Sequence, residues 1–294
     1  MKAAPFTFIR AEHLQHALGL LAAHGGDCKP IAGGQSLVPM MAMRLARPSV
    51  LVDINRLPAL KTWQIGCRGV RMGPTTRQRD VASDRQMHSA LPLLVAALQW
   101  VGHVQTRNRG TVGGSLVHAD PAAEQPLVAC VLDATLVLES AAGGERRVAA
   151  RDFFLGSMVT ATTETECLTA IEWPAWDGPG VACAFEELSI RHGDFAMAAA
   201  ACQIQLDEAG ICRRAAIGLG GMSDRPLAFP DLAVSLLGRR IEPGLARDVA
   251  ETAAERSEPG SDIHADTAYR RQLGAVLLRR ALLRAVRLVP AMAG

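Results

Sequence analysis

Apolar and polar positions alternate along the chain in two rhythms, and the rhythms separate helices from strands. Residues 12–23, EHLQHALGLLAA, place Leu14, Leu18 and Leu21 on one helical face, with Gly25 and Gly26 as a stop. KPIAGG, from Lys29, reads as a short strand running into a glycine loop, and SVLVDI, residues 49–54, as a second, buried strand. A helix carrying Met40, Met41 and Met43 lies between them, so the three pieces make a small α/β lobe. WQIGCRGVRMG, residues 63–73, alternates about a GCRG turn and predicts a hairpin. Helices are expected near 77–84 and 88–101, and a further one from Pro121, with Asp120 as its cap and Pro121 as its first residue. ATLVLES (134–140), RRVAARDFF (146–154) and ECLTAIEW (166–173) read as strands, the first two around an AAGGE turn.

PAWDGPG, residues 174–180, breaks every regular pattern and is the best linker candidate. Beyond it, MAAAACQIQLDEAGICRRAAIGLGG predicts two strands around a DEAG turn, and helices run from there to the end. From Thr267 onward, Leu273, Leu277, Leu278 and Leu283 form an apolar stripe beside Arg270, Arg271, Arg279, Arg280, Arg284 and Arg287. That pattern suits a helix with a core-facing stripe and a solvated basic face; docking of another subunit is the alternative. Strands and helices come in mixed order without regular βαβ alternation, so the expected class is α+β.

Composition narrows the function. With 49% hydrophobic and 20% charged residues in 294, the chain folds and has enough length for more than one core. A net charge of +2 argues against a general nucleic-acid binder. No secretory signal and no apolar run of bilayer-spanning length is visible, so a cytoplasmic protein without a membrane span is expected. The seven cysteines are scattered without a C-x-x-C pair, which argues against a disulfide framework, a zinc site or an iron–sulfur cluster in this chain. No catalytic residue and no metal ligand set stands out.

Two stretches share one grammar. IAGGQSLVPMMAMRL, residues 31–45, and RNRGTVGGSLVHADPAAEQP, residues 107–126, each join Gly-Gly to a serine and an ensuing helix. Glycine lets the backbone come close to a ligand, and successive N–H groups at a helix start suit a diphosphate. Neither contains the lysine of a P-loop, and no G-x-G-x-x-G occurs. Each Gly-Gly alone is more often a turn; the pair suggests one ligand held from two sides.

These residues resemble the FAD-binding medium subunit of the molybdenum hydroxylases, the xanthine dehydrogenase and carbon monoxide dehydrogenase family. The resemblance covers AGGQSLVPMMAMRLARPSVLVDINRL and QTRNRGTVGGSLVHADPAAE, and continues through RDFFLG, FEELSIRHGDFAMAAAA and LGGMSDRP. It implies FAD as cofactor and a PCMH-like flavin fold. Two N-terminal α+β subdomains (1–57 and 58–175) would clasp FAD, followed by a C-terminal α/β domain (180–288). It implies cofactor contacts at Ala32, Gly33, Gly34, Gln35 and Ser36, at Thr111, Val112, Gly113, Gly114 and Ser115, and at Glu124. Leu168, through its backbone, and Glu186 match family positions near the flavin, and Phe195 either meets the flavin ring or is a plain core aromatic. For Glu124 the competing reading is an exposed first-turn acid favoured by the helix dipole. His118, Arg107 and Arg109 have structural or solvated readings at least as good as functional ones.

The family further implies a large molybdopterin-binding subunit, a small subunit with [2Fe–2S] clusters and a dimer of heterotrimers, a heterohexamer. Electrons would pass from the clusters to FAD and on to an acceptor such as NAD or a quinone. The alternatives are a self-sufficient FAD-dependent oxidase or dehydrogenase and a flavin-free scaffold subunit.

Overall fold

The structure, a computed structural model, describes residues 2–289. The chain begins with β1 (Thr7–Arg10), α1 (Leu14–His24), β2 (Cys28–Ile31), α2 (Leu37–Ala42) and β3 (Val50–Asp53). The three strands form a parallel sheet in the order β1-β3-β2. Helix α1 starts two residues later than its pattern suggests, because the His13 ring accepts from the N–H of His16 at 3.1 Å and caps it. Ala17, Leu18 and Leu21 of α1 pack on Cys28, Val50 and Val52 of the sheet. Strand β1 gave no sequence signal, and its residues are mostly exposed. Ile31 pairs with Asp53, so the segments leaving β2 and β3 emerge at one edge of the sheet. That edge, the carboxyl end of parallel strands, is where open α/β sheets bind ligands.

A second unit follows: β4 (Trp63–Gly66), β5 (Gly69–Met72), α3 (Gln78–Ser83), α4 (Arg85–Ala90), α5 (Pro92–Leu98) and α6 (Val104–Arg109), then α7 (Val112–His118) and α8 (Glu124–Val131). It closes with β6 (Thr135–Ser140), β7 (Gly144–Ala149), α9 (Ala150–Phe153), β8 (Phe154–Gly156), β9 (Val159–Thr160) and β10 (Glu166–Pro174). Its antiparallel sheet runs β4-β5-β10-β6-β7, and β8 pairs with β9 apart from it.

Four expectations change here. The helical stretch 77–101 is three short helices, because Asp84 ends α3 and caps α4 through Met87 N–H at 2.9 Å, and Pro92 opens α5. The second Gly-Gly lies inside α7 rather than in a loop before a helix. Asp120 and Pro121 do not open α8: Asp120 makes a local turn to Ala122 N–H at 2.9 Å, and the helix starts at Glu124. Residues 146–154 are not one strand, since α9 interrupts them at Ala150.

The third unit has β11 (Val181–Leu188), β12 (Ala198–Leu206), β13 (Cys212–Gly220), β14 (Leu227–Ala228), α10 (Pro230–Val234), α11 (Pro243–Glu255) and α12 (Thr267–Leu288). Its four strands are antiparallel in chain order, and α10 to α12 cover one face around Ala184, Ala200, Cys202 and Leu278. The opposite face, with Phe185, Ala199 and Ala201, joins the core of the second unit, which also holds Leu94, Leu127 and Trp173. Strand β11 was not foreseen from the pattern. The presumed linker is packed in place: the Arg214 guanidinium lies 3.9 Å over the Trp176 ring, and Leu206 N–H donates to Gly180 C=O at 3.0 Å. Among the described residues no helix is long and apolar enough to cross a membrane.

Candidate cofactor site

The two glycine stretches touch. A Cβ on Gly33 would fall 2.5 Å from the Arg109 carbonyl oxygen and 2.9 Å from Gly110 Cα, so only glycine fits between the strand edge and α6. Two side chains bolt the contact. Asn55 Nδ2 donates to the carbonyls of Ile31 (3.1 Å) and Ala32 (2.7 Å) and to Asp53 Oδ1 (2.8 Å). Arg77 then donates to Asn55 Oδ1 at 2.7 Å and, through its other terminal nitrogen, to the Arg109 carbonyl. Half-buried, Arg77 has its pKa lowered by desolvation first and by Arg109 second.

The stretches divide the donor work unequally. Gly33, Gly34, Gln35 and Ser36 give no backbone N–H to another protein group among the described residues, and Ser36 starts α2 without a side-chain cap. Gly34 has φ of 70°, a conformation that favours glycine. Around this turn lies a cavity of about 430 Å³, lined by Phe8, Ala32, Gly34, Gln35, Val38, Asp53, Asn55 and Arg109 among others. In the second stretch the donors are already engaged. Val112 N–H goes to Thr76 C=O at 3.0 Å, Gly113 N–H to Pro74 C=O at 2.9 Å and Gly114 N–H to Thr111 Oγ1 at 3.1 Å. Gly113 is pressed on Pro74, where a Cβ would lie 2.3 Å from the proline Cβ, whereas Gly114 is exposed and its Cβ would meet only Thr111. Gly114 and the half-buried Ser115 therefore offer an open helix surface that does not line the cavity.

Two family models divide the chain between them. Residues 4–176 match the FAD binding domain in molybdopterin dehydrogenase, and residues 183–285 match the CO dehydrogenase flavoprotein C-terminal domain. The chain belongs to this flavoprotein family. It is 36% identical to the 6-hydroxypseudooxynicotine dehydrogenase complex subunit alpha of Paenarthrobacter nicotinovorans, over 97% of this chain and 96% of that one. It is 32% identical to the carbon monoxide dehydrogenase medium chain of Hydrogenophaga pseudoflava, over 94% of this chain and 96% of that one. A solved carbon monoxide dehydrogenase from the same organism superposes with a TM-score of 0.94 at 32% identity, covering 99% and 100% of the two chains. Quinoline 2-oxidoreductase from Pseudomonas putida 86 gives 0.92 at 34% identity, covering all of both chains.

FAD is the cofactor of this flavoprotein family, and the residues present fit it. Free N–H groups at Gly33 to Ser36 and the Ser36 hydroxyl suit phosphate oxygens, Asp53 can accept from sugar hydroxyls, and the exposed Phe8 offers a stacking face at the cavity mouth.

The remaining candidates separate. Glu124 is not an exposed acid: at the start of α8 it is 9% exposed, and burial, followed by the nearby Asp120, pushes its carboxyl up to about 7. Leu168 is buried in β10 beside a bulge, pairing with Leu138, with its side chain in the core. Glu186 points to the helix-covered face of the third sheet and pairs with Arg284 at 2.8 Å, on the side away from Glu124. Phe195 is not a core aromatic; it is 72% exposed. Among the described residues no group of three His, Cys, Asp or Glu stands ready for a metal ion. Sequence reasoning missed Asn55 and Arg77. The DIN sequence at the end of the third strand was a usable signal for Asn55, since a polar residue just beyond a parallel strand sits at the ligand edge; nothing local marked Arg77.

Proposed function

We propose that this chain is the FAD-carrying electron-transfer subunit of a multi-subunit molybdenum hydroxylase. It takes electrons from the [2Fe–2S] clusters of a small partner subunit, while a large subunit holds molybdopterin and the organic substrate. An acceptor such as NAD or a quinone removes them. The observation that carries the reading is the contact of Gly33 with Arg109 and Gly110, which sets a turn whose N–H groups have no acceptor among the described residues beside a second glycine surface. Bound FAD supplies the redox chemistry. The protein supplies position. Arg77 and Asn55 fix the distance between the stretches, Thr111 holds the first turn of α7, and the packed second core keeps water from the side facing α8. The expected units are 1–57, 58–175 and 180–288, assembled in a dimer of heterotrimers.

The test is a visible spectrum of the chain purified alone and with its neighbouring subunits, with FAD added. Flavin bands, with about one noncovalent FAD per chain released on denaturation, support the reading. Absence of flavin from the chain and from the assembled complex overturns it. Turnover of an organic donor by the chain alone would favour a self-sufficient oxidase.

A further inference from the structure

The cavity at the first glycine stretch has most of its acceptors engaged and its donors free. Asn55 Nδ2 donates to the carbonyls of Ile31 and Ala32, and Gln35 Nε2 to the Gly33 carbonyl at 3.0 Å. Val38 and Met40 N–H donate to the carbonyls of Gly34 and Ser36, each at 3.1 Å. The Arg109 carbonyl accepts from Arg77, and Asn55 Oδ1 accepts from the other arm of that guanidinium at 2.7 Å. Asp53 is the acid among the residues that line the cavity. Its Oδ1 accepts from Asn55 N–H and Nδ2 at 2.9 and 2.8 Å, and its Oδ2 lies 3.6 Å from Arg10 Nε. Against these stand the N–H groups of Gly33 to Ser36, which have no acceptor among the described residues.

The charge is one-sided as well. Arg109 lines the cavity and is exposed. Its carbonyl is used by Arg77, but its guanidinium makes no hydrogen bond or ion pair among the described residues. Arg77 is bound to the backbone of Arg109, and two cations so close repel: desolvation first and the Arg109 charge second lower the Arg77 pKa. Asp80 and Asp53 oppose this, but Asp80 is shared with Arg79 at 3.1 Å and Asp53 with Arg10. Helix α2, LVPMMA, brings no charged side chain, and neither do Gly33 to Ser36. Two guanidinium groups, a row of free amides and carbonyls already covered suit an anion with several oxygens, and a diphosphate is one.

We propose that the Arg109 side chain is a cofactor-binding group, supplying the positive charge for the FAD diphosphate in this cavity, a role separate from the joint made by its carbonyl. The inference rests on the FAD reading above. An anion held by Arg109 and the amides of Gly33 to Ser36 gives those donors their acceptors and offsets the repulsion between Arg109 and Arg77. In the flavin-free chain that repulsion has nothing to offset it. The Arg109 charge therefore favours binding and works slightly against the stability of the empty protein, the opposite of what a structural arginine does.

The experiment is a titration of the full chain with FAD, read by quenching of flavin fluorescence, at about 0.05 M and about 0.5 M salt, with melting curves of the flavin-free protein beside it. Arg109→Gln is expected to bind FAD about tenfold more weakly at low salt. It should also lose less affinity than the parent when salt is raised, because screening acts on the charge that has been removed. Arg109→Lys keeps the charge and should bind within about threefold of the parent. Flavin-free Arg109→Gln should melt at or above the temperature of the parent. Equal affinity and equal salt dependence in the parent and Arg109→Gln overturn the proposal. So does a flavin-free Arg109→Gln that melts several degrees lower, with Arg109→Lys binding no better than it, since both are marks of a structural arginine. Failure of the parent to bind FAD, alone and with its neighbouring subunits, would instead count against the cofactor reading.

Discussion

Arg77 and Asn55 hold one another at 2.7 Å, and through them the first parallel sheet is tied to the turn before Thr111. The guanidinium does this with two nitrogens aimed in different directions, one to Asn55 and one to the Arg109 carbonyl. A lysine ammonium has the charge but not the planar fork. Arg77→Lys is therefore expected to lose one of the two bonds, at a cost of about 1.5–3 kcal/mol in the closed arrangement. FAD titration should show affinity about ten- to a hundredfold weaker, and because the bridge forms without cofactor the melting temperature should also fall by several degrees. Unchanged affinity would mean that the bridge does not hold the stretches together.

Gly33→Ala and Gly114→Val should fail in different ways. The added Cβ at Gly33 would collide with backbone of α6, which cannot swing aside, so the stretches must part and both stability and flavin content fall. At Gly114 the Cβ would meet Thr111 Oγ1 at 2.7 Å and otherwise face open space. Loss of that cap costs about 1 kcal/mol, a few degrees of melting temperature, while the branched side chain covers the surface offered to the cofactor. Circular dichroism and flavin content measured on the same samples separate the two. A folded Gly114→Val variant with full flavin would remove α7 from the site.

Particular residues show what the sequence could reveal. Leu18 and Leu21 announced α1, and VLVD announced the buried strand that became β3, because periodicity records which face meets a core. The glycine stretches were visible because glycine is chemically distinctive. Strand β11 was hidden: Val181 to Leu188 is buried on one side by α5 and on the other by α12, which erases alternation. Arg77 was hidden for another reason. Its partners, Asn55 and Arg109, are 22 and 32 residues away, and no local pattern records such a contact. That Glu186 faces α12 needed the strand register, since a step of one residue moves a side chain to the other face.

Acid should weaken the second sheet through one ion pair. Arg146 holds both oxygens of Glu166, at 2.5 and 2.8 Å, and with help from Thr163 N–H keeps that carboxyl down at about 2. A carboxyl lowered on folding stabilises the fold above its ordinary range, and that stabilisation disappears as pH falls towards the lowered value. Arg146 is 44% exposed, so solvent screening leaves about 1–2 kcal/mol. Glu166→Gln should cost that amount near neutral pH and almost nothing near pH 2, measured by urea unfolding. An equal cost at both would point to packing rather than charge.

Arg214 should control access to residues 174–180. Its guanidinium covers Trp176 and donates to the Ala175 carbonyl at 2.8 Å. Arg214→Ala removes a stacked cation worth about 1–2 kcal/mol and exposes the indole. Limited proteolysis is expected to cut near Trp176 faster in the variant, with two stable fragments, while the parent chain resists. Equal cleavage rates would show that Gly180, with Gln205, whose Nε2 donates to the Asp177 and Pro179 carbonyls at 3.0 and 3.2 Å, holds the segment without the arginine.

The engaged amides of Val112, Gly113 and Gly114 mean that one jaw of the site is set before any cofactor arrives. The other jaw, Gly33 to Ser36, keeps its amides waiting. Ordering on capture then falls almost wholly on the first jaw, and the rigid second one acts as a template. In hydrogen exchange, FAD should slow the amides of residues 33–36 and leave those of 112–114 as slow as they already were. On the proposed reading, bound FAD would supply acceptors to amides at the carboxyl end of the first sheet that have none within the described protein.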